Sequence, residues 1–119
     1  MKRELEFRYV YEFEGEVDIQ YFTLGEIENG YVNDYQNQNN WDYLKCRERY
    51  TGLVDKQGVK IFEGDIVNLY SGLNIWQTKE VYFDNDLCEF GFKETHENLY
   101  SMYSKHYEVI GNIHEEPKA

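Results

Sequence analysis

Three histidines, His96, His106 and His114, and two cysteines, Cys46 and Cys88, are the residue types in this chain best suited to metal or nucleophile chemistry. Their spacing matches no HxxxH, HExxH or Cys/His zinc pattern, so no metal ligand is assigned. Cys46 stands between Lys45 and Arg47, whose positive charges favour a thiolate. A nucleophile there still needs a general base, and none is marked by the pattern. Cys88 sits in an apolar stretch and reads as a small buried hydrophobe. The glycines occur singly at turns, so no loop is built to cradle a phosphate. Carboxylates are abundant, and no pair stands out from the background. The sequence therefore assigns no catalytic residue and no cofactor, and the chain reads as a non-enzyme.

Two features instead suggest binding. Lys45, Arg47 and Arg49 alternate, which places them on one face of a strand. Such a stripe suits an acidic partner or a phosphate. The simpler expectation is pairing across strands with the glutamates of residues 4–16. Trp41 and Tyr43, beside an asparagine-rich tract, suit a protein interface or a cap on the end of a barrel.

The surrounding composition narrows the partner. Net charge is −11, from 23 acidic and 12 basic residues. Direct binding to nucleic acid needs the opposite balance, and anionic membranes are disfavoured for the same reason. Hydrophobic residues make up 41% of the chain, enough for one packed domain of 119 residues. Two cysteines without a CxxC pair fit free thiols in a reducing compartment. Met1-Lys2-Arg3 leads into Glu4 rather than an apolar run, and no stretch has the length of a membrane span. The expected location is the cytoplasm of the cell that makes the protein.

The elements that must position these residues are mostly strands. Twelve tyrosines and seven phenylalanines favour pleated surfaces. Leu5, Phe7, Tyr9, Tyr11 and Phe13 alternate with Glu4, Glu6, Arg8 and Glu12, the period of a half-buried strand. Glu14-Gly15-Glu16 predicts a turn into a second strand through Val17, Ile19 and Tyr21. Asn29-Gly30 predicts a hairpin turn. Residues 33–40, rich in Asn and Gln, read as an exposed loop, and a boundary at 43/44 separates an N-terminal β-hairpin region from a C-terminal module. From Leu44, strands are expected at Leu44–Arg49, Asp65–Tyr70, Ile75–Phe83, Leu87–Phe92 and Glu108–Ile113. Turns fall at Thr51-Gly52, Lys56-Gln57-Gly58, Glu63-Gly64 and Ser71-Gly72. Leu99, Met102, Tyr103 and His106 recur at helical spacing, predicting at most one short helix near 97–105. The expected core is Leu53, Ile61, Phe62, Ile66, Val67, Val81, Phe83, Phe90, Val109, Ile110 and Ile113.

The run from Tyr50 to Val67, YTGLVDKQGVKIFEGDIV, resembles the central signature of the YopX family of phage and prophage proteins. Glu108 to Pro117, EVIGNIHEEP, resembles that family's closing signature, Val81 and Phe83 fit its short V-x-F strand, and Leu5-Glu6-Phe7-Arg8 resembles its opening strand. The resemblance covers residues 44–117 well and the first ten loosely. It implies a mainly β fold with an SH3-like barrel in the C-terminal part, and it implies no activity. The signature positions Tyr50, Gly52, Asp55, Gly58, Gly64, Asp65, Gly111 and Asn112 have physical readings of their own. Gly52, Gly58 and Gly64 suit positive φ or tight turns. The Asp65 carboxylate suits a turn, accepting backbone N–H bonds. Gly111 inside a strand predicts a bulge or close packing, and Asn112 suits a bond to a neighbouring loop.

Three functions fit these observations. The first is a phage accessory protein that binds another protein or itself without catalysis. The second is an acidic DNA mimic that blocks a nucleic-acid-binding protein, which requires rows of carboxylates on one face. The third is a small enzyme or ligand-binding protein, which requires a concave pocket with convergent polar groups.

Overall fold

The computed structural model describes residues 5–39, 43–93 and 105–115, and side chains throughout these except at 37–39. The protein is mainly β, with antiparallel sheets and, among the described residues, two short helices. It divides into two compact units, Met1–Tyr50 and Thr51–Ala119. Among the described residues, no helix is long and apolar enough to cross a membrane.

In the first unit β1 (Glu6–Phe13) pairs antiparallel with β2 (Glu16–Thr23) from Glu6↔Thr23 to Phe13↔Glu16. β1 also pairs with the first part of β3 (Leu44–Val54), so the order is β2-β1-β3. Two helices follow β2: α1 (Leu24–Glu28) and α2 (Tyr31–Asn39). This corrects the expectation of at most one short helix, and of a loop over 33–40. Asparagine is a poor helix former, but Val32 and Tyr35, three apart, join Ile27 against Tyr9, Tyr11 and Phe22. Tertiary burial of that apolar stripe outweighs propensity.

Asn29-Gly30 is likewise a helix end rather than a hairpin. Gly30 takes φ +82 and its N–H reaches the Ile27 carbonyl, as at many helix C-termini. The dipeptide requires positive φ in either setting, so its chemistry alone does not choose between them. Thr23 and Glu26 start α1 as a reciprocal capping box, each side chain accepting from the other's backbone N–H.

β1 pairs on both edges and is buried on both faces. Arg8, Tyr9, Val10 and Tyr11 are all buried, which corrects the half-buried reading of that strand. Tyr11 is fully buried, and its hydroxyl has no hydrogen-bond partner of good geometry. Burial pushes its pKa up from 10.0, the nearby Gln36 amide offsetting part of the rise. A raised folded-state pKa stabilises the fold below the unfolded value, and that stability is lost as pH rises above it. Tyr11→Phe is expected to be neutral or to stabilise by up to about 1 kcal/mol at neutral pH, because it removes an unpaired buried hydroxyl. It should also flatten the fall in melting temperature above about pH 10. Thermal melts of both forms from neutral to alkaline pH check this. A drop of several degrees for Tyr11→Phe at neutral pH would mean the hydroxyl is satisfied.

In the second unit the end of β3 lies beside β4 (Lys60–Phe62). The Thr51 hydroxyl donates to the Ile61 carbonyl at 2.7 Å. The expected turn at Thr51-Gly52 is instead absorbed within β3, where Gly52 takes φ +87. β5 (Asp65–Ser71), β6 (Asn74–Asp84), β7 (Glu89–Phe92) and β8 (Tyr107–Asn112) form an antiparallel sheet ordered β7-β6-β5-β8.

The core of this unit is Ile61, Val67, Leu69, Val81, Phe92 and Tyr107, with Leu53 and Val109 packed against it. Of the expected core, Phe62 is also buried, while Ile66, Phe83, Phe90 and Ile110 are half-buried. Ile113 is exposed because β8 ends before it. Cys88 is exposed in the turn before β7 at φ 53, which corrects its assignment to a buried strand. The helix expected over 97–105 lies almost wholly outside the described residues.

Candidate functional site

The signature residues form the framework from which any site must project. Asp55, buried, closes the loop between β3 and β4. Its Oδ1 accepts from the N–H groups of Gln57 at 2.8 Å and Val59 at 2.9 Å. Its Oδ2 accepts from the Val109 N–H of β8 at 2.9 Å. Gly58 follows at φ +83, a conformation that side chains strain to adopt. Asp65, also buried, accepts from the Phe62 N–H at 2.8 Å across the Glu63-Gly64 turn. Gly64, at φ +88, donates to the Val81 carbonyl and accepts from Ile113 N–H. Asn112 is buried and accepts from His114 N–H through Oδ1. At Gly111 the β5–β8 register shifts: Ile66 faces Gly111 but Val67 faces Val109, leaving Ile110 as a bulge. Tyr50 is half-buried where β3 reaches the end of the first unit. These carboxylates hold backbone in place.

The described residues expected to meet a partner lie in β3 or immediately before it. Lys45, Arg47 and Arg49 are all exposed on β3. Lys45 pairs with Glu12 at 3.1 Å, as cross-strand neighbours of opposite charge do. With both side chains nearly half exposed, the pair contributes little stability. Tyr43 is exposed and stacks beside Phe13 of β1, ring centroids 5.3 Å apart. Trp41 lies outside the described residues. His106 is exposed and His114 half-buried, whereas His96 lies outside the described residues.

Among the described residues the most exposed large apolar side chain, Leu73, sits where no binding was expected, at the tip of the β5–β6 hairpin. Leu73 is 96% exposed, and Ile75 and Trp76 are each 52% exposed. The pairing explains Trp76. Leu69 faces Gln77 but Tyr70 faces Ile75, so Trp76 is the extra residue of a bulge, which re-aims its side chain. A signal for this site was present in the sequence: Ser71 to Thr78 carries no charge in a chain that is 29% charged. Tyr70, beneath the tip, donates its hydroxyl to Glu108 at 2.8 Å, and Lys56 lies over its ring. The Glu108 hydrogen bond holds its pKa above 10.0.

A family model described as YopX protein matches residues 6–119, nearly the whole chain. No curated protein matches. Among solved structures, the chain is similar to the crystal structure of protein EF1440 from Enterococcus faecalis. The identity is 26%, the TM-score 0.48, and the match covers 90% of this chain and 70% of that one.

Proposed function

The chain belongs to the YopX family, and from that premise we propose that it is a non-enzymatic protein-binding module, an accessory protein of phage or prophage origin acting in the host cytoplasm. One observation carries the reading: Leu73, Ile75 and Trp76 project from a hairpin tip free of charge. Exposed apolar groups of this kind mark interaction sites, and tryptophan is enriched among residues that dominate binding energy. The signature carboxylates Asp55 and Asp65 hold backbone, a structural role that fits a binding scaffold. The antiparallel order β7-β6-β5-β8, together with the short β4, favours an SH3-like barrel for the second unit, a scaffold that hosts many unrelated ligands.

The test compares the full chain with its Leu73→Ser/Trp76→Ser variant, which keeps net charge unchanged. The wild-type chain is expected to retain a stoichiometric protein partner from host cells in which it is expressed, and the variant to lose it. Neither form should shift duplex DNA at physiological salt, because a net charge of −11 opposes a polyanion. Equal retention by both forms, or a DNA complex that weakens steeply with salt, would overturn the reading.

A further inference from the structure

Asn29-Gly30 is the only Asn-Gly dipeptide in the chain. The pair is set up for an intramolecular reaction. The Gly30 backbone nitrogen, after losing its proton, attacks Asn29 Cγ. A new N–Cγ bond forms, the Cγ–Nδ2 bond breaks and ammonia leaves. Water then opens either carbonyl of the resulting five-membered imide, giving aspartate or isoaspartate. Glycine favours the first step because it has no Cβ to hinder ring closure. Asn29 is exposed, so water reaches it.

The structure holds both reacting groups away from that path. Ring closure needs Asn29 Cβ to eclipse the Gly30 nitrogen across the Cα–C bond. At the observed ψ of 6° the Asn29 nitrogen is eclipsed there instead. The Gly30 N–H donates to the Ile27 carbonyl at 3.1 Å, and Asn29 Nδ2 donates to the Gly25 carbonyl at 2.8 Å. Nucleophile and leaving group are thus both engaged in closing the end of α1. On either side of this junction Ile27 and Val32 pack on Tyr9, Tyr11 and Phe22, and the Thr23–Glu26 capping box holds the other end of α1.

We propose that Asn29 is a modification site controlled by the fold: deamidation is blocked while the α1–α2 junction is closed, proceeds when it opens, and leaves a product that disfavours reclosure. Aspartate has no donor for the Gly25 carbonyl, and it sets a carboxylate at the negative end of a helix with no basic residue in its last turn. It also adds one negative charge to a chain of net charge −11. Isoaspartate adds a methylene to the main chain, which displaces the Gly30 N–H from the Ile27 carbonyl. Either product loosens the cover that Ile27 and Val32 give Tyr9, Tyr11 and Phe22.

Peptide mapping by mass spectrometry follows the full chain at mildly alkaline pH, in native buffer and in guanidinium chloride. Conversion of Asn29 is expected to be at least about tenfold slower in the native chain, since only the open fraction reacts. Thr23→Ala removes the N-cap of α1 and should speed native conversion roughly fivefold, with the rate in guanidinium unchanged. Asn29→Asp, the aspartate product made directly, should lower the melting temperature by a few degrees. Equal conversion in both solvents, a native rate indifferent to Thr23→Ala, or an Asn29→Asp variant that melts as the wild type does would each overturn the proposal.

Discussion

Replacing Asp55 with alanine is expected to destabilise the second unit by about 3–5 kcal/mol, more than any surface substitution. The carboxylate is buried and accepts three backbone N–H bonds, from Gln57, Val59 and Val109. Alanine leaves all three donors to find other partners at a buried site. A hydrogen bond to a charged acceptor contributes roughly 1.5–3 kcal/mol, and an abandoned buried donor costs about 1–3. The three bonds share one side chain, so their losses do not simply add.

Asp55→Asn separates charge from shape. One oxygen remains to serve either the loop or β8, while the amide NH2 confronts a donor on the other side. Asparagine is therefore expected to recover part of the loss and not all of it. Urea denaturation gives the stability change, and amide exchange locates it. Val59 and Val109 should exchange faster in both variants, while amides of β1 and β2 in the first unit are unchanged. A loss below about 1 kcal/mol for Asp55→Ala would show that the carboxylate is dispensable to the fold and free for another role.

The second large effect is expected at Arg8 and Glu48. Arg8 Nε lies 2.6 Å from Glu48 Oε1, with the two side chains only 3% and 7% exposed. Removing one partner strands a buried charge, so Glu48→Ala is expected to cost about 3–5 kcal/mol. Replacing both, as Arg8→Met with Glu48→Leu, should cost far less than the sum of the single changes. Buried ion pairs are often matched by apolar residues of similar volume.

The pair has a use beyond stability. Arg8 and Glu48 face each other across β1 and β3. A slip of one residue sets Arg8 against Arg47 or Arg49, like charge against like, and turns every side chain to the wrong face. The double variant is therefore expected to keep its stability and lose some uniqueness, seen as broadened amide resonances along β1 and β3. A double variant as unstable as Glu48→Ala would mean that the site tolerates no apolar pair.

Much of the second unit was legible in the sequence because its cues are local. Gly58 and Gly64 take the positive φ that their turns require, and Asp65 fastens its own turn three residues back. The turn residues at Glu63-Gly64, Ser71-Gly72 and Asp84-Asn85-Asp86 bounded β5 and β6 to within a residue or two, since turn chemistry is written in the chain itself. Other features depend on partners distant in sequence. The helical state of residues 31–39 was settled by the apolar surface that Tyr9, Tyr11 and Phe22 offer to Val32 and Tyr35. The burial of Arg8 was settled by a glutamate 40 residues away, and that of Asp55 by an N–H 54 residues away.

The candidate site divides along the same line. Composition determined that the chain is strongly acidic, and that its longest uncharged run, Ile66 to Thr78, includes the tip. Whether Leu73, Ile75 and Trp76 would be buried or displayed was decided only in three dimensions. A strand pattern places residues on alternating faces but does not say which faces find a covering layer. The β5–β6 pairing, with its bulge, left these three in solvent, beyond the stretches of β5 and β6 that pair with β8 and β7.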